Sequence, residues 1–125
     1  MNNQPLQILI VEDEPDGQEL VSRMLAQFNV QVDIAGDAEE AWSLLMEKNY
    51  AAAIIDLALP ERDGFELVSA IRGESALTEL PCVAMTAFHT PELKQRAISD
   101  GFNAYFPKPL DRSRFLGELG RMMVD

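Results

Sequence analysis

The sequence predicts an α/β fold, a single domain in which a doubly wound, five-stranded parallel sheet is covered by five helices. Three observations predict it. Short apolar runs of strand length alternate, five times over, with longer segments whose apolar residues recur at helical spacing. Runs such as Ile8–Val11 and Ala51–Ile55 are apolar at every position rather than every second one, the mark of strands buried on both faces. Finally, 125 residues with 47% hydrophobic content suffice for one compact core.

Gln7–Val11 reads as the first strand. Pro15–Phe28 follows as a helix with Leu20, Val21, Met24, Leu25 and Phe28 on its apolar stripe. Gln31–Ala35 is the second strand. Asp37 then caps a helix, because Glu40 three residues on completes a capping-box-like start. Ala38, Ala41, Trp42, Leu45 and Met46 form its stripe. Ala51–Ile55 is the third strand, and the next helix begins near Gly64 and turns Phe65, Val68 and Ile71 inward. Cys82–Met85 is the fourth strand. Thr90-Pro91-Glu92 opens a helix that Gly101 ends. With only Leu93, Ala97 and Ile98 to offer a core, this helix is expected to be the least firmly held. Ala104–Pro107 is the fifth strand. Asp111 caps a last helix that buries Phe115, Leu116, Leu119, Met122 and Met123. Trp42 and the methionines fall on apolar stripes and read as core.

Composition narrows the function classes. Acidic residues outnumber basic ones by 21 to 10, a net charge of −11, which gives solubility and disfavours direct nucleic-acid binding. The apolar runs are too short to span a membrane. The start MNNQPLQ has neither the basic nor the apolar region of a secretion signal, so a cytoplasmic protein is expected. The single cysteine, Cys82, lies in an apolar run and reads as a buried strand thiol.

The polar residues at the strand ends are the informative ones. Glu12 and Asp13 follow the first strand, Asp56 the third, Thr86 the fourth and Lys108 the fifth. In an open parallel sheet these ends share one edge, where ligands bind. Three carboxylates gathered there repel one another. A divalent cation with hard oxygen ligands, such as magnesium, would relieve this and leave room for phosphate oxygens. A carboxylate beside such an ion can attack phosphorus to give an acyl phosphate. Lys108 would balance the phosphoryl charge and Thr86 would hydrogen-bond one of its oxygens. His89, in the loop after Phe88, reads as a solvated side chain.

The chain resembles the receiver domain of two-component response regulators over nearly its whole length, including single-domain chemotaxis-type members. The resemblance rests on ILIVEDE at Ile8–Glu14, IIDLALPERDG at Ile54–Gly64, AMTAF at Ala84–Phe88 and AYFPKP at Ala104–Pro109. It implies a flavodoxin-like strand order 2-1-3-4-5. It also implies that Asp56 accepts a phosphoryl group from a phosphohistidine. Glu12, Asp13, Asp56 and the carbonyl of Ala58 would then hold Mg2+, Thr86 and Lys108 would touch phosphoryl oxygens, and Tyr105 would occupy the aromatic switch position. The Lys108–Pro109 bond is similar to one often cis in the family. Ala58 and Phe88 are apolar where many relatives carry polar groups, and those positions tune dephosphorylation.

The expected protein is a phosphorylation-controlled signalling module, residues 1–125 forming one receiver domain. It is not an enzyme toward outside substrates and catalyses only its own phosphorylation and dephosphorylation. Its partners would be a sensor histidine kinase or histidine phosphotransfer protein and a downstream effector, with a phosphorylation-dependent dimer within the family's range. A stand-alone regulator and a receiver cut from a hybrid kinase or larger regulator both fit the string. A small phosphatase with an Asp nucleophile would want a second acid where Ala58 stands, and a flavin-binding protein a Ser/Thr/Gly-rich loop where the chain has EDEPDG.

Overall fold

A computed structural model describes residues 5–59 and 63–123. Pro60 and Arg62, quoted above in the segment after Asp56, lie outside the described residues, as do the chain's first four and last two. The elements follow in strict alternation: β1 (Leu6–Val11), α1 (Pro15–Leu25), β2 (Val30–Ala35), α2 (Ala38–Glu47), β3 (Ala52–Asp56), α3 (Gly64–Gly73), β4 (Cys82–Thr86), α4 (Pro91–Asp100), β5 (Ala104–Pro107) and α5 (Arg112–Met123). All strand pairs are parallel and the order is β2-β1-β3-β4-β5, as the resemblance implied.

Helices cover both faces. On one, Val21, Met24 and Leu25 of α1 and Phe115, Leu116 and Leu119 of α5 pack on Ile8, Ile10, Ile54, Val83 and Met85. On the other, α2, α3 and α4 pack on Leu9, Val11, Ile55 and Ala84. Successive strand residues point to opposite faces, so β1, β3 and β4 feed both cores and need the unbroken apolar runs seen in the sequence.

Caps form as their residues dictate. The side chains of Asp37, Asp63 and Thr90 accept from the amides of Glu40, Glu66 and Leu93, and Asp111 accepts from that of Arg114. Gly101 ends α4 at φ 122°, a conformation that glycine alone adopts without strain.

Three expected core residues face solvent: Leu20, Met46 and Ile98, at 46%, 48% and 47% exposure. Each directly neighbours a buried residue, Val21, Leu45 or Ala97. One residue's step turns the helix by about 100°, enough to carry the neighbour off the buried line. Phe28 lies beyond α1 rather than within it. Its amide closes a turn onto the Leu25 carbonyl at 2.9 Å, and its ring still packs against the α1–α5 core. Met122 and Met123 are only partly buried.

The thin packing expected of the fourth helix is present and more pronounced, since Ala97 is the only fully buried residue of α4. Its C-terminal end is tied by Arg72, whose guanidinium donates to the carbonyls of Gly101, Thr78 and Leu80 and to Asn103 Oδ1. Arg96 lies 3.8 Å over the Phe65 ring. Cys82 is buried, as expected, and burial pushes its thiol up to about 11, which keeps it unreactive. Among the described residues no helix is long and apolar enough to cross a membrane.

Candidate functional site

Strand register decides which side chains meet. Val11 pairs with Ile55, so Glu12 and Asp56 stand side by side one step further on. Asp56 pairs with Met85 and Thr86 with Pro107, so Lys108 follows at the same level. The five polar residues expected at the strand ends therefore share the carboxyl edge of four adjacent strands.

Glu12 is fully buried and Asp56 is 5% exposed, whereas Asp13 is exposed. One carboxylate oxygen from each of the three lies within 4.8 Å of the others. The like-charge problem is met first by Lys108, a role the sequence did not suggest. Its Nζ donates to Glu12 Oε1 at 2.6 Å and to Asp56 Oδ2 at 2.8 Å. Lys108, expected from the sequence to balance the charge of a phosphoryl group, here bridges the two buried carboxylates.

The other oxygen of each carboxylate is also partnered. Glu12 Oε2 accepts from the Glu14 amide at 3.1 Å, and Asp56 Oδ1 accepts from the Ala58 amide at 2.9 Å. Among the described residues no buried side-chain polar atom lacks a partner. Ala58 thus enters the site through its N–H. Burial raises the Glu12 pKa, and Asp56 adds to this, against the hydrogen bonds from Lys108 and Glu14. Burial also works against the Lys108 ammonium, but hydrogen bonds and charge from Asp56 and Glu12 outweigh it and leave its pKa raised.

The donor set fits a hard divalent cation. It consists of carboxylate oxygens alone, held close together by backbone register, with one member exposed to solvent. Room for Glu12 depends on Gly17, a residue the sequence did not single out. A Cβ there would fall 2.6 Å from Glu12 Oε1. Gln18 supports the same turn by donating to the Glu12 carbonyl at 2.7 Å.

Thr86 is 1% exposed, and its hydroxyl accepts from the Phe88 amide at 3.0 Å. Phe88 is 72% exposed. Tyr105, expected at the aromatic switch position, is already buried, at 7% exposure. His89 is exposed but is not merely solvated, because its Nδ1 lies 2.9 Å from the Tyr105 hydroxyl. The Lys108–Pro109 peptide is cis.

A two-faced parallel sheet with an acid cluster and one lysine at its carboxyl edge defines a class of signalling domain. The response regulator receiver domain model matches residues 8–119, and the chain belongs to that family. It is 40% identical, over 85% of its length and 81% of the relative's, to an uncharacterized 14.6 kDa protein of Leptolyngbya boryana. It is 31% identical to the response regulator Rre1 of Synechocystis over 86% of its own length, but spans only 47% of that protein. A putative response regulator from Chloroflexus aurantiacus superposes with a TM-score of 0.90 at 26% identity, covering 95% of this chain and 98% of the other. The receiver domain of the Pseudomonas aeruginosa sensor histidine kinase PA1611 superposes at 0.86 with 28% identity, covering 95% and 98%, and that structure has a magnesium ion in its active-site cleft. The chain is thus a receiver domain of two-component signalling, similar both to regulators and to a domain of a kinase.

Proposed function

We propose that residues 1–125 act as one phosphoacceptor module, taking a phosphoryl group on Asp56 from the phosphohistidine of a sensor kinase or phosphotransfer protein. The observation that carries this is a nearly buried carboxylate at the end of β3, bonded to Lys108 and within 4.8 Å of two further carboxylates. A buried acid with no chemistry to do would be better replaced by an apolar residue.

An Asp56 carboxylate oxygen attacks phosphorus, the new O–P bond forms as the N–P bond of the donor breaks, and the imidazole leaves with its electron pair. Lys108, already within 2.8 Å of Asp56, turns its charge toward the incoming phosphoryl oxygens. The Ala58 amide holds Oδ1 in place. Thr86 exchanges its bond to the Phe88 amide for one to a phosphoryl oxygen, and its movement is passed to Tyr105. Glu12, Asp13, Asp56 and the Ala58 carbonyl would hold magnesium, which when bound supplies positive charge to the phosphoryl oxygens. The chain turns over no outside substrate and passes its state to an effector by contact.

Incubation with acetyl phosphate and magnesium tests the reading. Intact mass should rise by one phosphoryl group, and no uptake at all would refute it. Asp13→Ala should lose this uptake, yet in metal-free buffer its stability should stay within about 0.5 kcal/mol of the parent or rise, because an exposed like charge has been removed. Thermal melting checks this, and a large drop would make Asp13 structural. Neither Ala58 nor Phe88 can orient an attacking water, so the acyl phosphate should be long-lived. Ala58→Asn is expected to release phosphate on the order of tenfold faster. Slower release from that variant would refute the argument.

A further inference from the structure

Gly17 lies in the first turn of α1, two residues after Pro15. Its backbone is helical, so nothing in its conformation calls for glycine, which after proline is the poorest helix former. What calls for it is Glu12. A Cβ at position 17 would stand 2.6 Å from Glu12 Oε1, 2.8 Å from Cδ and 3.1 Å from Cγ, all inside ordinary contact distance. These are the three nearest atoms, and all belong to Glu12.

The far end of a glutamate usually swings aside for a methyl group. Glu12 is not free to do so, because four hydrogen bonds hold it. Its amide donates to the Ala35 carbonyl at 3.0 Å, and its carbonyl accepts from Gln18 Nε2 at 2.7 Å. Oε1 accepts from Lys108 Nζ at 2.6 Å and Oε2 from the Glu14 amide at 3.1 Å. The side chain is fully buried, so a bond given up here leaves polar atoms away from water.

We propose that Gly17 is a positioning residue for the acid cluster: the bare helix turn it provides lets position 12 carry a glutamate whose carboxylate reaches Lys108 and lies beside Asp13 and Asp56. With alanine at 17, Oε1 must retreat to contact distance and gives up its bond to Lys108. One of the three carboxylates that meet within 4.8 Å is then displaced. The consequence for magnesium rests on the phosphoacceptor reading. The coupling of Gly17 to Glu12 does not.

Two measurements on the full chain test this. Urea unfolding in metal-free buffer compares Gly17→Ala in the parent and in Glu12→Ala, where the three obstructing atoms are gone. Gly117→Ala in α5, where a Cβ meets nothing within 4 Å, calibrates the gain in helix propensity. Gly117→Ala should raise the urea midpoint. Gly17→Ala should lower it in the parent and raise it in Glu12→Ala. NMR then follows Lys108 side-chain signals and backbone amides as magnesium chloride is added. Before any metal, the Lys108 signals should move in Gly17→Ala and stay in place in Gly117→Ala. Magnesium should bind Gly17→Ala about tenfold more weakly than the parent, and Gly117→Ala as the parent does. A midpoint that rises in Gly17→Ala as in Gly117→Ala, or falls equally with and without Glu12, would overturn the proposal. So would magnesium affinity unchanged in Gly17→Ala. A parent that binds no magnesium would refute the metal reading instead, and the unfolding comparison would still decide whether Gly17 positions Glu12.

Discussion

Asp56→Asn is expected to abolish phosphoryl uptake from acetyl phosphate, taking the stoichiometry from one per chain to none while the fold persists. The amide side chain has the same shape, and its oxygen can still accept from the Ala58 amide, which now meets Oδ1 at 2.9 Å. What disappears is the anionic oxygen facing Lys108, and with it the nucleophile. Removing that charge also relieves Glu12, whose carboxyl Asp56 pushes upward. The two effects on stability therefore oppose each other, and circular dichroism should show a folded protein. Intact mass spectrometry decides the matter. Uptake unchanged in the Asn variant would move the acceptor to another residue.

Lys108→Ala is expected to give the largest loss of stability, about 3 kcal/mol at neutral pH in metal-free buffer. It leaves Glu12 fully buried and Asp56 nearly so, without the ammonium that bonds to both. Acid should restore part of the loss. The Glu12 pKa is raised above 4.5 in the folded state, so between 4.5 and its raised value the folded chain binds more protons than the unfolded one. In that window stability rises as pH falls. The window should be wider in the variant, which has lost the Lys108 bond that lowers the Glu12 pKa. Asp33 limits the rescue at lower pH. Hydrogen bonds from Lys48 and Tyr50 depress its pKa below 3.8, so its contribution is lost as pH falls toward that depressed value. Urea unfolding at several pH values measures both. A loss that is the same at pH 5 and 7 would mean Lys108 acts through packing rather than charge.

Most of the architecture was legible because burial on both faces leaves a strong local trace. Ile8–Val11 and Ala51–Ile55 announce central strands without reference to anything distant. Helix edges were less legible, since Leu20, Met46 and Ile98 are apolar yet lie one step off the buried line. Hydrophobicity along the chain does not distinguish a stripe's centre from its margin.

The sequence by itself determined that Glu12, Asp13, Asp56, Thr86 and Lys108 would share one edge, because alternation of strands and helices forces a parallel sheet whose carboxyl ends lie together. It also determined the α/β class and, through its motifs, the receiver family. Only the tertiary structure decided who pairs with whom. Lys108 is separated from Glu12 by 96 residues and from Asp56 by 52, and no local pattern records which carboxylate an ammonium will meet. The same holds for the space that Gly17 leaves Glu12, for the Ala58 amide on Asp56, and for His89 on Tyr105. Hydrogen bonds form over less than about 3.2 Å, a scale set by strand register and loop packing rather than by residue type, so the chemistry of the edge can be read from order along the chain but its geometry cannot.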